Sequence, residues 1–110
     1  MNAALSKVVL SIDTSRYDKL VVGVDSAGEK KVIEEEFDFR KSQGVLPLIE
    51  KVLHEEHVEF VDLAKIEVTT GPGSFTGLRV GTAIANTLGT ILQIPLNQQA
   101  IGEIVTPIYS

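Results

Sequence analysis

Nine residues, Gly71-Pro72-Gly73-Ser74-Phe75-Thr76-Gly77-Leu78-Arg79, constrain this 110-residue chain more than any other stretch. An apolar run, Ile66-Glu67-Val68-Thr69-Thr70, precedes them, and a helix-patterned segment over residues 76–93 follows. Strand, glycine-rich turn and helix start in that order present unpaired backbone N–H groups across the turn. Gly71 and Gly73 open backbone angles closed to other residues, and Pro72 fixes one φ between them. Gly73 is expected at positive φ, and Ser74 or Thr76 can cap the helix. Phosphate binding is the obvious functional reading, yet two templates for it fail. A Walker A loop needs Gly-Lys-Ser/Thr, and no lysine follows Lys65. The dinucleotide fingerprint needs G-x-G-x-x-G, whereas Gly71, Gly73 and Gly77 give G-x-G-x-x-x-G. The glycines alone leave an anion cradle and a tight structural corner both open.

Around this loop the chain reads as a mixed α/β domain. Residues 7–13 form a nearly continuous apolar run, expected of a strand in a sheet covered on both faces. A second strand is expected over residues 20–24, then a hairpin turn at Asp25-Ser26-Ala27-Gly28, with positive φ at the glycine. The third strand, residues 30–39, sets Val32, Glu34 and Glu36 on one face and Ile33, Glu35, Phe37 and Phe39 on the other. Its charges place it at an exposed edge. Apolar residues at Val45, Leu46, Leu48, Ile49, Val52 and Leu53 predict a one-sided helix within residues 42–57, and Pro47 puts its regular start nearer Leu46 than Ser42. Residues 66–70 read as a strand, 97–100 as a last strand, and 101–110 as a tail or helix stub that Pro107 ends.

Within the second helix, Gly77, Gly81, Ala85 and Gly89 recur every four residues. Glycine inside a helix costs about 0.5–1 kcal/mol relative to alanine, so the ridge needs a compensating close approach by other backbone. Either a partner or the domain's own sheet or first helix can supply it. The larger residues Val80, Ile84, Leu88 and Leu92 make a neighbouring ridge expected to face the sheet, which leaves the small ridge for a partner. His54 and His57 are the only histidines; they read His-Glu-Glu-His, short of the H-E-x-x-H metal motif. Histidines at a helix C-terminus also suit its dipole. Ser74 stands one residue off a nucleophile elbow, and the chain has no cysteine.

Hydrophobic residues make up 44% and charged residues 23%, as in soluble globular domains. A net charge of -5 argues against a nucleic-acid grip by this chain alone. Without cysteine there is neither a disulfide framework nor a thiolate zinc site. No apolar run approaches the ~18 residues of a membrane span, and residues 1–10 lack a secretory-signal pattern, so a cytoplasmic location is expected.

Taken whole, the nine-residue string resembles the TsaB (YeaZ) family, the bacterial partner of the enzyme that places threonylcarbamoyl on adenosine next to the tRNA anticodon. Three further blocks agree. Val8-Val9-Leu10-Ser11-Ile12-Asp13-Thr14-Ser15 looks like the family's opening strand, which typically ends Ile-Asp-Thr-Ser. Ser42-Gln43-Gly44-Val45-Leu46-Pro47-Leu48-Ile49 is similar to its first-helix signature, with Lys41 where a histidine is usual. Leu92-Gln93-Ile94-Pro95-Leu96 looks like its Gly-Ile-Pro-Leu strand entry, with Gln93 for glycine. The likeness runs from residue 6 to about residue 100, over the family's N-terminal lobe.

This resemblance implies an α/β, ribonuclease-H-like lobe of the actin and sugar-kinase superfamily: a three-stranded antiparallel start, then helix, strand, helix, strand. One lobe is expected over residues 1–110, with the second lobe absent. The implied role is a non-catalytic scaffold or activator that pairs with TsaD, meets a TsaE-like ATPase through the complex, and touches tRNA only indirectly. A homodimer is expected in isolation. The resemblance puts the partner interface on Leu46, Ile49 and Leu53 of the first helix, and on Gly73, Phe75, Thr76, Gly77, Leu78, Arg79, Gly81, Ala85 and Gly89 around the second. Arg79 is expected to contact the partner or to cap the first helix. Asp13, Thr14 and Ser15 sit where the superfamily places its first phosphate loop and are the candidates for nucleotide binding; an Asx turn capping the strand end is the plainer reading. Catalytic relatives carry His-x-x-x-His after the last strand, where residues 96–103 here hold no histidine. No metal, no catalytic residue and no cofactor is therefore expected on this chain, ATP being used by partner proteins. The alternatives are a nucleotide-binding half-kinase acting as a homodimer, and an orphan dimerisation module.

Overall fold

The computed structural model describes residues 8–38 and 44–108. The expectations on Lys7, Phe39, Lys41, Ser42, Gln43 and residues 109–110 lie outside them. Three strands open the chain: β1 (Val8–Asp13), β2 (Lys19–Ser26) and β3 (Glu29–Glu36). Helix α1 (Val45–Glu55) follows, then a 3₁₀ turn (Phe60–Asp62), strand β4 (Leu63–Val68) and helix α2 (Phe75–Leu92). The sheet order is β3-β2-β1-β4, antiparallel between the first three strands and parallel between β1 and β4. Ala27 and Gly28, at φ 56° and 84°, make a two-residue turn with both central residues left-handed, which matches the twist of β2 and β3.

Burial alternates strictly along β1. Val8, Leu10 and Ile12, with Leu20, Val22 and Val24 of β2, join Val45, Ile49, Val52 and Leu53 of α1 and Ala85 and Leu88 of α2 in one core. Both helices thus cover one face. The expectation of a sheet covered on both faces fails among the described residues, because Val9, Ser11, Asp13 and Val21 on the other face are only half-buried. β4 runs over Leu63–Val68 rather than residues 66–70, since Thr69 and Thr70 already belong to the turn.

No strand forms over residues 97–100, and the reason is local. Leu96 makes a single parallel bridge to Ile66. Asn97 then adopts φ 53°, and its side chain replaces the next backbone rung: Oδ1 accepts from Val68 N–H at 2.8 Å, and Nδ2 donates to Val68 C=O at 3.1 Å. Asparagine tolerates left-handed angles, so the chain turns away where a β-former would have continued. Among the described residues beyond it no helix stub forms; an irregular segment is pinned by Asn86, which accepts from Val105 N–H at 2.8 Å and donates to Val105 C=O at 2.9 Å.

Candidate functional site

Two loops meet at the ends of β1 and β4. Thr69 N–H donates to Ile12 C=O at 3.0 Å, and Ser74 N–H donates to Ser15 C=O at 2.7 Å. Ser74 is the N-cap of α2, its Oγ accepting from Gly77 N–H at 3.2 Å. Gly71 carries the loop's positive φ, 142°, and any Cβ there would collide with the Ile108 carbonyl. Gly73 is not at positive φ. It must be small for another reason, because a Cβ would fall 2.6 Å from both Cβ and the carbonyl oxygen of Ser15. The corner is a packed junction between the loops.

On the β1 side, Asp13 Oδ1 accepts from Ser15 N–H at 2.9 Å and from Ser15 Oγ at 2.6 Å, an Asx turn closed on itself. Thr14 is fully buried, its Oγ1 without a hydrogen-bond partner. An incoming phosphate needs converging donors. Ser15 N–H and Oγ, Ser74 N–H and Gly77 N–H are already committed within the protein. We therefore expect ATP to bind this chain no tighter than about 10 µM, the level beyond which one exposed loop cannot supply the free energy. A titration by calorimetry showing tighter binding would restore the half-kinase reading.

The small ridge of α2 turns inward, against expectation, while the large ridge keeps Leu88 in the core and packs Val80, Ile84 and Leu92 half-buried against it. Gly77, Gly81, Ala85 and Gly89 are buried against the lobe itself. A Cβ on Gly81 would strike Thr14 Oγ1, and one on Gly89 would come within 2.8 Å of Leu96. Small residues are used here to bring the helix down onto the end of β1. Ile49, Leu53 and Leu78 are likewise interior, at most 2% exposed. Seven of the expected interface residues (these three with Gly77, Gly81, Ala85 and Gly89) thus line the lobe's own core and present no surface of their own. Arg79 does not cap α1, whose last carbonyls are met by the N–H groups of Glu56, His57 and Val58. Its guanidinium lies 5.3 Å from the Phe75 ring centroid, a cation–π distance.

The exposed side of α2 is the surface that sequence reasoning missed. Thr76, Ala83, Thr87 and Ile91 are exposed and the half-buried Val80 and Ile84 border them, at helical spacings of 3, 4 and 7. None is charged, and Arg79 is the only charged residue in the 18 of α2. Ile91 is 70% exposed. Leu46 of α1, 40% exposed, joins Ala83, Ile84, Thr87 and Leu88 around a shallow apolar cleft of about 180 Å³. The signal was present as the absence of charge along that stripe. By contrast, the hollow between α1 and the Phe60–Asp62 turn is lined by Glu50, Lys51, His54 and Glu59, charges of both signs. Among the described residues no three metal-ligating side chains converge, and no helix is long and apolar enough to cross a membrane.

A four-stranded mixed sheet of order β3-β2-β1-β4 with both helices on one face is a ribonuclease-H-like lobe, and comparison with known proteins agrees. Residues 18–98 match the family profile described as TsaD, tRNA N6-adenosine threonylcarbamoyltransferase. The chain is 37% identical over 92 residues to the tRNA threonylcarbamoyladenosine biosynthesis protein TsaB of Bacillus subtilis, covering 81% of this chain and 39% of that one. It is 32% identical over 106 residues to the tRNA N6-adenosine threonylcarbamoyltransferase of Wolbachia pipientis wMel, covering 81% and 31%. YeaZ from Pseudomonas aeruginosa superposes with a TM-score of 0.77 at 26% identity, over 86% of this chain and 44% of that one. RuvC of T. thermophilus, TM-score 0.51 at 13% identity over 82% of this chain and 62% of that one, shares the fold alone. The chain belongs to the family that this profile describes, on its TsaB (YeaZ) side. It spans less than half the length of the TsaB relatives it matches.

Proposed function

We propose that this chain is a non-catalytic scaffold in the formation of threonylcarbamoyladenosine on tRNA, and that it acts by pairing with a TsaD-type transferase through the outer faces of α1 and α2. The observation that carries this reading is the uncharged stripe of α2 beside Leu46. A solvated helix face ordinarily carries charge, and an apolar one rimmed by polar groups marks an interface. The relatives' names support the pathway, and the stripe supports this face as the contact. The net charge of -5 fits a subunit that leaves the phosphate contacts of tRNA to its partner.

The half-kinase reading has less support, since Asp13 is taken up by Ser15 of its own turn and the α2 N-terminus by Ser74 Oγ and the Ser15 carbonyl. In the absence of the transferase, the same apolar face would join two copies of this chain. The test is reconstitution with the host's TsaD-type transferase, its TsaE-type ATPase, a threonylcarbamoyl donor and tRNA. Adding this chain should raise threonylcarbamoyl transfer to tRNA at least about tenfold, the loss a missing activating interface of about 1.4 kcal/mol would cause. Transfer that proceeds equally without the chain would sink the proposal.

A further inference from the structure

The two edges of the sheet are finished differently. Beyond β4, residues 95–97 occupy the edge: Ile66 N–H donates to Pro95 C=O at 3.1 Å, and Asn97 N–H donates to Ile66 C=O at 2.9 Å. At the other end β3 is the terminal strand among the described residues, eight residues long and exposed along nearly its whole length. The two-residue turn fixes which of its backbone groups face β2. Ser26 and Glu29 flank the turn and pair, so Glu29, Lys31, Ile33 and Glu35 direct their N–H and C=O groups to β2. Phe37 continues that odd-numbered set, donating to Asp18 C=O at 2.9 Å. The groups of Lys30, Val32, Glu34 and Glu36 therefore point away from the sheet.

We propose that this edge is an interface for a second copy of the same chain, pairing antiparallel about a two-fold axis at Ile33. The strand reads Lys30-Lys31-Val32-Ile33-Glu34-Glu35-Glu36, basic at one end and acidic at the other. Centred on Ile33, antiparallel pairing sets Lys30 opposite Glu36 and Lys31 opposite Glu35, each twice by symmetry. Outward-facing even residues then meet even residues, as a hydrogen-bonded ladder requires. Slipping by two in one direction sets Glu34 against Glu34, and in the other sets Glu29 against Glu35. The charges thus reject neighbouring registers while favouring one. Lone charges on an edge strand discourage pairing; a sign change at its middle makes the edge complementary to itself. The inference is separate from the α1–α2 face, which lies elsewhere on the lobe.

The test uses Val32→Cys, the only thiol in a chain without cysteine, and a short bis-maleimide. In the proposed register the two copies of position 32 are diagonal neighbours, about 7–8 Å apart, within the linker's reach. Cross-linked dimer is expected, and raising salt should reduce it. Adding Lys31→Glu, or Glu35→Lys, faces like charges twice across the axis and should cut the yield about tenfold. Mixing the two variants faces glutamate with lysine at both places and should return the yield to that of Val32→Cys alone. Both positions lie on the exposed strand opposite apolar Val24 and Leu20, so circular dichroism should show each variant folded. No cross-link in the parent, equal cross-linking in the single variants, or no recovery on mixing would each overturn the proposal. The readout is blind to association through α1 and α2, so its failure leaves the scaffold reading untouched.

Discussion

Replacing Gly81 with leucine should destabilise the lobe by about 3 kcal/mol, the upper range for overpacking a filled interior. The first carbon alone would strike Thr14 Oγ1 and lie 3.0 Å from its Cγ2, and Thr14 is itself fully buried. Thr14 cannot swing outward, because Ser15 on one side is tied to Ser74 and Asp13. Leucine's better helix propensity returns only about 0.8 kcal/mol. Urea denaturation monitored by circular dichroism measures the loss. The cause is separable in a second step: Gly81→Ala should destabilise the native lobe, and do so much less once Thr14→Ala has removed Oγ1 and Cγ2, the Cβ at 3.1 Å remaining. Were the small ridge free for a partner, as its spacing suggested, leucine would instead be tolerated by the fold and would block association. A Gly81→Leu chain as stable as its parent would return the small ridge to the surface.

The second large effect is expected on association. Ala83→Arg places a long charged side chain at the centre of the uncharged stripe, and Leu46→Glu charges the facing wall of the cleft. If the transferase packs there, each should weaken its binding about a hundredfold, the effect of losing a hot spot of about 2.7 kcal/mol. Both positions are exposed, so stability should change by no more than about 0.5 kcal/mol. Sedimentation velocity on chain and transferase reads the first quantity, and thermal melting the second. Binding that survives both substitutions would place the interface elsewhere.

Much of this lobe was legible in its residues. The turn after β2, the edge position of β3, the start of α1 beside Pro47 and the Ser74 cap of α2 all follow from local chemistry, and the structure shows each. What misled was information that is not local. A run such as residues 7–13 looks buried on both sides, but only the fold decides how many helices cover the sheet. Asn97 looked like the start of a strand because the residues before it are apolar; its left-handed backbone and ladder-mimicking amide depend on where Val68 lies. The glycine ridge shows the point best. Spacing revealed that something approaches α2 closely, but not whether it is a partner or Thr14 and Leu96. Gly73 has the same lesson, its smallness set by Ser15, 58 residues earlier in the chain, and not by its own φ. The candidate interface was hidden for a related reason: a stripe is defined by what it lacks, and absence of charge becomes informative only when the helix face is known to be outside.

The central claim, that α1 and α2 present their outer faces to a TsaD-type transferase, is tested most directly by sedimenting the wild-type chain with that transferase from the same host. A one-to-one contact with a dissociation constant below about 10 µM is expected, weakened about a hundredfold by Ala83→Arg and unaffected by Lys31→Glu. No complex at several times that concentration, or a complex indifferent to Ala83→Arg, would contradict it.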